Sequence, residues 1–214
     1  MKLAARQEFF ARLAAIDPEP KTELEYSTPF QLLVAVVLSA QATDKGVNRA
    51  TRPMFRAHST PQSLLAIGEE GISEYIQTIG LYRTKAKNVT ALTQQILEQH
   101  GGEVPHDRAA LEALPGVGRK TANVVLNVVF GEPTMAVDTH IFRVANRTGL
   151  GLGKNVEIVE QKLLKSVPQK YRQHAHHWLI LLGRYTCKAR APECYRCVVN
   201  DLCSYRSKTH KTHV

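Results

Sequence analysis

The stretch Ala113-Leu-Pro-Gly-Val-Gly-Arg-Lys-Thr, residues 113–121, decides the fold of this chain. A short helical segment begins after Asp107, a residue suited to capping it, and the proline and first glycine of the stretch end it. A second helical pattern follows, with apolar residues at helical spacing over 122–130. The loop amides and the N-terminus of the second helix can then point outward together, as in anion-binding sites. An ordinary turn between helices has the same pattern, but Lys120 and Thr121 in a basic chain favour a phosphate-binding hairpin.

The composition indicates a globular protein with a polyanionic partner. The chain has 214 residues, of which 43% are hydrophobic, enough for one or two domains with a sizeable core. Lysine and arginine total 28 against 19 aspartate and glutamate, which gives a formal net charge of +9 and suits nucleic acid. Any one basic residue could belong to a solvated helix surface. The basic residues are spread along the chain and include Arg49, Arg52, Arg83, Lys85, Lys87, Arg119, Lys120, Arg184, Lys188 and Arg190.

Membrane attachment is not expected. The longest apolar run, Phe30 to Leu38, is interrupted by Gln31 and is shorter than the roughly 20 residues that a membrane span needs. The N-terminus carries charges where a signal peptide has its apolar stretch. We therefore expect a cytoplasmic protein without membrane contact.

Helical periodicity recurs along the chain, and no alternating strand pattern or internal repeat is evident. We predict an all-α protein of two helical domains with a DNA-binding groove between them. The predicted helices, besides the two of the hairpin, cover 2–16, a segment beginning at 29, 44–57, 61–67, 71–78, 84–99, 137–148, 155–166 and 169–184.

All four cysteines lie close together near the C-terminus, with the spacing C-x6-C-x2-C-x5-C. Disulfides are not expected in a protein without a secretory signal. Four thiolates in a short loop can hold either zinc or an iron–sulfur cluster. The uneven spacing favours a larger cubic cluster, although zinc stays open. The cysteines are Cys187, Cys194, Cys197 and Cys203.

Two further residues are candidates for chemistry. Lys120 is either a phosphate contact or a nucleophile, and a lysine amine becomes a nucleophile only after it loses its proton. Asp138 is suited to capping the helix that follows it, with Arg143 as an ion-pair partner. A carboxylate can cap a helix and also face a groove, so the two interpretations of Asp138 are compatible.

Taken together, three motifs closely resemble the bacterial endonuclease III family, the DNA glycosylase/AP lyases of the helix-hairpin-helix superfamily. The motifs are Leu-Pro-Gly-Val-Gly-Arg-Lys-Thr-Ala at 114–122, Val-Asp-Thr-His-Ile-Phe-Arg-Val at 137–144 and the cysteine spacing. Their order matches, and the similarity extends over almost the whole chain, including Leu-Ser-Ala-Gln-Ala-Thr-Asp at 38–44 and Gly-Leu-Tyr-Arg at 80–83.

The resemblance implies a fold and a set of site residues. Residues 22–132 would form a six-helix barrel domain with the hairpin, and 1–21 with 133–214 a domain that carries the cluster. Lys120 would be the nucleophile and Asp138 the assisting carboxylate. The four cysteines would hold a [4Fe-4S] cluster. The residues implied in DNA binding are Gln41, Leu81, Leu114, Gly116, Val117, Gly118, Arg119, Thr121, Lys188 and Arg190.

The resemblance also implies an activity in base excision repair. The enzyme would remove oxidised pyrimidines and then cleave the strand by β-elimination through a lysine Schiff base. Its partner would be double-stranded DNA with damaged pyrimidines or abasic sites, and it would act as a nucleoid-associated monomer in a bacterial cytoplasm. One departure is that Ala191 and Glu193 dilute the positive charge of the cysteine loop.

Two other functions stay open. An adenine-mismatch glycosylase of the same superfamily shares the hairpin, the aspartate and the cysteine spacing but lacks a lysine at the position of Lys120. A non-catalytic DNA-binding module would use the hairpin and the cluster only to recognise DNA structure, and Lys120 together with Asp138 argues against it.

Overall fold

Helices make up the regular secondary structure of the computed structural model, which describes residues 1–210. No strand occurs within that range, in agreement with the predicted all-α class. None of the helices described there is long and apolar enough to cross a membrane. Short 3-10 turns cover Gln169–Tyr171 and Cys194–Arg196. The α-helices are α1 Leu3–Ile16, α2 Pro29–Leu38, α3 Asp44–Ala57, α4 Pro61–Ala66, α5 Gly68–Ile76, α6 Tyr82–His100, α7 Arg108–Glu112, α8 Arg119–Phe130, α9 Thr139–Thr148, α10 Val156–Ser166 and α11 Arg172–Tyr185.

The chain divides into two compact units, which we call unit 1 and unit 2. Unit 1 comprises Met1–Lys21 and Glu132–Val214, and unit 2 comprises Thr22–Gly131. Unit 1 is therefore discontinuous in sequence, since α1 belongs with α9, α10 and α11. Unit 2 contains α2 to α8 and with them the hairpin.

The centre of unit 2 is α2. Its N-terminus is fixed by Thr28, whose side chain accepts a hydrogen bond from the Gln31 N–H, and by Pro29 in the first turn. Every residue from Phe30 to Leu38 is buried, and α2 packs against α3, α6 and α8. A helix that is apolar on all sides must be enclosed in this way, because any exposed face would keep apolar surface in water.

Lys85 of α6 differs from the sequence-based expectation of a surface residue. Only 5% of it is exposed, and its Nζ atom has no hydrogen-bond partner among the described residues. Burial lowers the pKa of the Lys85 amine, because desolvation disfavours the charged form. Lys85 is therefore not part of an exposed basic surface.

The core of unit 1 joins segments from both ends of the chain. α11 packs against α9 and α1, and α9 also packs against α10. The Trp178 Nε1–H donates to the Asp17 carbonyl at 2.7 Å, which ties the end of α1 to α11. Val199, in the cysteine loop, is fully buried in the same core. Arg12 of α1 bonds the Asp201 carboxylate at 2.6 Å, so the C-terminal segment is attached by both apolar and charged contacts.

Candidate active-site residues and the cysteine loop

The hairpin forms as the sequence predicts. Asp107 caps α7, and its Oδ1 atom accepts a hydrogen bond from the Ala110 N–H at 2.8 Å. The turn closes with the Val117 N–H donating to the Leu114 carbonyl at 3.0 Å. Gly116 has a φ of +78°, and a Cβ atom there would lie 3.0 Å from Asn88 of α6. Only glycine combines that backbone conformation with so close an approach.

Two of the predicted DNA-binding residues lie in the interior. Leu114 is 2% exposed and Val117 is 6% exposed, so their side chains are part of the core of unit 2. Only their backbone groups are available to a ligand at the loop surface. Gly116 and Gly118, in contrast, are exposed.

Lys120 is exposed and is the second residue of α8. Gly118 is the N-cap of this helix, and as a glycine it has no side chain to cap the first turn. The positive end of the helix dipole therefore favours an anion at this helix end. An anion bound there would lie at the same helical turn as Lys120.

Gln41 and Leu81 share an unusual backbone conformation. Their φ angles are +54° and +60°, and no other non-glycine residue among 1–210 has a positive φ. Both are exposed, and Leu81 presents 62% of its apolar surface to solvent at the N-terminus of α6. This conformation costs a non-glycine residue on the order of 1–2 kcal/mol, and such strain is concentrated at functional sites.

Asp138 is the N-cap of α9, as predicted. Its Oδ1 atom accepts a hydrogen bond from the Ile141 N–H at 2.8 Å, and the preceding residues 134–137 are buried. The carboxylate is half-buried and fixed by its position at a helix end. Asp138 belongs to unit 1, whereas Lys120, Gln41 and Leu81 belong to unit 2.

Arg143 does not form the predicted ion pair with Asp138. Its guanidinium donates to the Cys187 carbonyl at 2.9 Å and to the Gly183 carbonyl at 2.8 Å. Both carbonyls lie at the end of α11 or just beyond it, so this arginine of α9 holds the start of the cysteine loop. The carbonyls outcompete the carboxylate because Arg143 lies on the face of α9 that packs on α11.

The four predicted ligand cysteines line one small cavity of ≈ 20 Å³ in unit 1, which is partly open to solvent. All four are free thiols and half-buried. Burial raises the pKa of the Cys197 and Cys203 thiols. No group of three or more His, Cys, Asp or Glu side chains within the described chain has the geometry of a site for a single metal ion.

Arg147 was not identified from the sequence, and it organises the cysteine loop. It donates to the Lys188 carbonyl at 2.7 Å and to the Ala189 carbonyl at 2.8 Å. Its Nη1 atom also lies 3.6 Å from Cys187 Sγ, and its guanidinium covers the Tyr205 ring at 4.7 Å. These partners are 40 or more residues away in sequence, so no local pattern could indicate them.

The charge of the cysteine loop is partly neutralised. Lys188 Nζ lies 2.6 Å from Glu193 Oε1, and Arg196 bonds the other oxygen of the same carboxylate. These hydrogen bonds lower the pKa of Glu193. Arg190 is exposed, so it is the more available of the two predicted DNA contacts in this loop.

Comparisons with known proteins place these features in one family. The family model of the HhH-GPD superfamily base excision DNA repair proteins matches residues 34–169. The chain is 60% identical to endonuclease III of Escherichia coli (strain K12), over 97% of this chain and 99% of the relative. It is 57% identical to endonuclease III of Haemophilus influenzae, with the same coverage.

Solved structures are similar over nearly the whole chain. A trapped endonuclease III–DNA covalent intermediate superposes with a TM-score of 0.87 at 43% identity, covering 95% of this chain and 96% of that one. A non-covalent endonuclease III–DNA complex superposes with a TM-score of 0.88 at 42% identity, covering 95% of each chain.

Proposed function

Because the chain belongs to the endonuclease III family of base excision repair enzymes, it is a DNA glycosylase with AP lyase activity, and we propose that Lys120 is its nucleophile and Asp138 its assisting carboxylate. The substrate we propose is double-stranded DNA that contains an oxidised pyrimidine or an abasic site. We further propose that the protein acts as a monomer in a bacterial cytoplasm, associated with the nucleoid.

The observation that carries this assignment is the position of Lys120 in the first turn of α8. The uncapped amides of this turn and the exposed glycines of the hairpin suit a backbone phosphate. A phosphate held there leaves the adjoining deoxyribose within reach of a lysine side chain. The exposed amine of Lys120 is therefore well placed to attack the sugar.

Access to the sugar requires base flipping. A stacked nucleotide hides the C1′ atom inside the duplex, and extruding it costs a few kcal/mol, least for a damaged base. Gln41 and Leu81 have exposed side chains on a strained backbone, and they suit residues that fill the vacated space. Their backbone strain is present before DNA binds, so little further distortion is needed on insertion.

The reaction follows from these positions. The neutral Lys120 Nζ attacks C1′, the bond to the base breaks, and the oxidised pyrimidine leaves with the bonding electron pair. The nitrogen then loses one proton, and as the sugar ring opens, O4′ takes up a proton and a protonated Schiff base forms at C1′. Removal of a proton from C2′ expels the 3′ phosphate and breaks the strand, and water later releases the lysine.

Asp138 supports this reaction in one of two ways. It accepts the proton that Lys120 loses, or its charge stabilises the cationic sugar that forms as the base leaves. Its cap hydrogen bond uses Oδ1, which leaves Oδ2 for either role. The fixed position of the carboxylate at the start of α9 suits electrostatic stabilisation, because no reorganisation is needed during the reaction.

We propose that Cys187, Cys194, Cys197 and Cys203 hold a [4Fe-4S] cluster. The donor set fits, since four half-buried thiols line one cavity and the Arg147 guanidinium lies beside one of them. Such a cluster supplies four strong cross-links and so ties down a segment with little apolar content of its own. A yellow-brown protein with iron and inorganic sulfide would support it, and a colourless protein with stoichiometric zinc would refute it.

Borohydride trapping tests the assignment of Lys120. Borohydride reduces the Schiff base to a stable amine, so wild-type protein should become linked to duplex DNA that contains thymine glycol or an abasic site. Lys120→Gln should form no adduct while retaining DNA binding. Lys154→Gln removes another exposed lysine and serves as the control, with normal trapping. An adduct in Lys120→Gln would refute the nucleophile, and DNA binding without wild-type trapping would indicate a non-catalytic module.

A further inference from the structure

Unit 1 contains a second basic surface, which the proposed reaction does not use. It is a pocket of ≈ 310 Å³ between α1, the loop that follows α9 and the end of α10. We call it the basic pocket. It is lined by Arg6, residues 149–152, Lys162, Lys165 and Ser166.

The charges of the basic pocket are all of one sign. Three of its lining side chains are basic, and none of those described is acidic. Lys162 donates to the Leu152 carbonyl, which holds its ammonium group at the edge of the pocket without neutralising it. Lys165 is exposed on the next turn of α10.

Arg6 carries the argument for a ligand. Its Nε atom is buried and has no hydrogen-bond partner in residues 1–210. A buried donor of this kind is rare in a folded protein, because it has lost its water without gaining an acceptor. Arg6 lines the pocket, so an anion bound there would give its guanidinium group an acceptor.

A purely structural role accounts for the lysines but not for Arg6. Lys162 and Lys165 lie near the C-terminus of α10, where cations interact favourably with the helix dipole. Arg6 lies in the first turn of α1, at the N-terminus, where the helix dipole disfavours a positive charge. The helix dipole therefore does not explain why the Arg6 Nε atom is buried without a hydrogen-bond partner.

We propose that the basic pocket binds a phosphate group. A guanidinium offers paired N–H donors that match phosphate oxygens, and the two ammonium groups add charge. The phosphate could belong to a stretch of DNA outside the damaged site or to a small phosphorylated molecule. The hairpin belongs to unit 2 and the basic pocket to unit 1, so the two sites are formed by different residues.

Calorimetric titration with inorganic pyrophosphate tests the site. Lys165→Gln and Arg6→Gln should each weaken binding about tenfold, the loss expected for one charge-assisted hydrogen bond. The control Lys21→Gln removes one exposed positive charge of unit 1 outside the pocket and should bind as the wild type does. Lys165 is exposed, so its variant remains informative if Arg6→Gln folds poorly.

Binding of an undamaged duplex distinguishes the two sources of phosphate. If the pocket contacts DNA, Lys165→Gln should lower duplex affinity and reduce the slope of log affinity against log salt by about one. If the pocket takes a small molecule, Lys165→Gln should leave the duplex affinity unchanged while it weakens pyrophosphate binding.

Unchanged pyrophosphate binding in both Lys165→Gln and Arg6→Gln would overturn the proposal, as would no saturable binding by the wild type. Neither result bears on Lys120. Borohydride trapping by Lys165→Gln should be normal at low salt, so a failure of the basic pocket is distinguishable from a failure of the proposed reaction.

Discussion

Asp138 Oδ1 accepts a hydrogen bond from the Ile141 N–H at 2.8 Å, so one carboxylate both caps α9 and serves as the proposed partner of the nucleophile. The two roles respond differently to substitution. Asparagine caps a helix about as well as aspartate does but carries no charge, whereas alanine does neither.

We therefore expect Asp138→Asn to change the free energy of unfolding by less than about 1 kcal/mol and Asp138→Ala to lower it by about 0.5–2 kcal/mol. Both variants should lose base-removal activity by about 10²-fold or more, the scale of a positioned acid or base. Urea unfolding and single-turnover base release provide the two measurements. Normal activity in Asp138→Asn would show that the carboxylate acts only as a cap.

Alanine substitutions at the two exposed glycines of the hairpin should also separate an effect on stability from an effect on function. Gly116→Ala places a Cβ atom 3.0 Å from Asn88 at a φ of +78°, so we expect a loss of about 1–3 kcal/mol in unfolding free energy. A Cβ on Gly118 meets nothing within 4 Å, so Gly118→Ala should cost only about 0.5 kcal/mol, because alanine is a poorer N-cap than glycine. It should still weaken DNA binding, because the added methyl group lies where a phosphate would approach. Equal stability losses in the two variants would contradict this account of the loop.

Substitutions of Leu81 should lower the activity on duplex DNA without lowering the free energy of unfolding. Leu81→Gly relieves the strain at a φ of +60°, so the free energy of unfolding should be unchanged or rise by up to about 1 kcal/mol. Leu81→Ala keeps the strain and removes only the exposed side chain. Both variants should remove a damaged base from duplex DNA more slowly, while cleavage of a single-stranded abasic site, which needs no flipping, should persist. Wild-type rates on the duplex would rule out a gap-filling role.

Local sequence patterns predicted those parts of the site that depend on residues close together in sequence. The hairpin depends on a proline, two glycines and a cap within a few residues, and Asp138 caps the helix directly after it. The positive φ angles of Gln41 and Leu81 had no such signal, because neither residue type favours that conformation.

The features that the sequence analysis did not predict depend on tertiary packing. Arg147 contacts carbonyls that are 41 and 42 residues away, and helical periodicity says nothing about distant partners. Lys85 was grouped with the surface cations because its residue type is seldom buried. The pairing of Glu193 with Lys188 and Arg196 requires the fold of the loop as well as its composition.

Arg147 should control how firmly the cysteine loop holds the proposed cluster. Arg147→Met removes the hydrogen bonds to the Lys188 and Ala189 carbonyls and the contact with Cys187 Sγ. We expect faster loss of visible absorbance when the protein is incubated with an iron chelator, because the loop opens more often. Arg206→Met is the control, since Arg206 is an exposed arginine three residues after Cys203. A cluster lost at the wild-type rate in Arg147→Met would show that the other contacts suffice.

His177 should make unit 1 sensitive to mild acid. Burial, together with the nearby His174, lowers the pKa of His177 to about 4 from its ordinary value of 6.5. The unfolded chain therefore takes up a proton at pH values where the folded protein does not, and stability falls as the pH drops from about 6.5 towards 4.

The full effect is up to about 3 kcal/mol, from about 1.4 kcal/mol for each unit of pKa. His177→Gln cannot titrate, so its free energy of unfolding should fall less steeply over the same range. Urea unfolding of both proteins between pH 7.5 and 5, followed by the fluorescence of the neighbouring Trp178, measures the difference. The comparison isolates His177, because every other titrating group, including the cysteine thiols, is shared by the two proteins. Parallel curves would show that the pKa of His177 is the same in the folded and unfolded states.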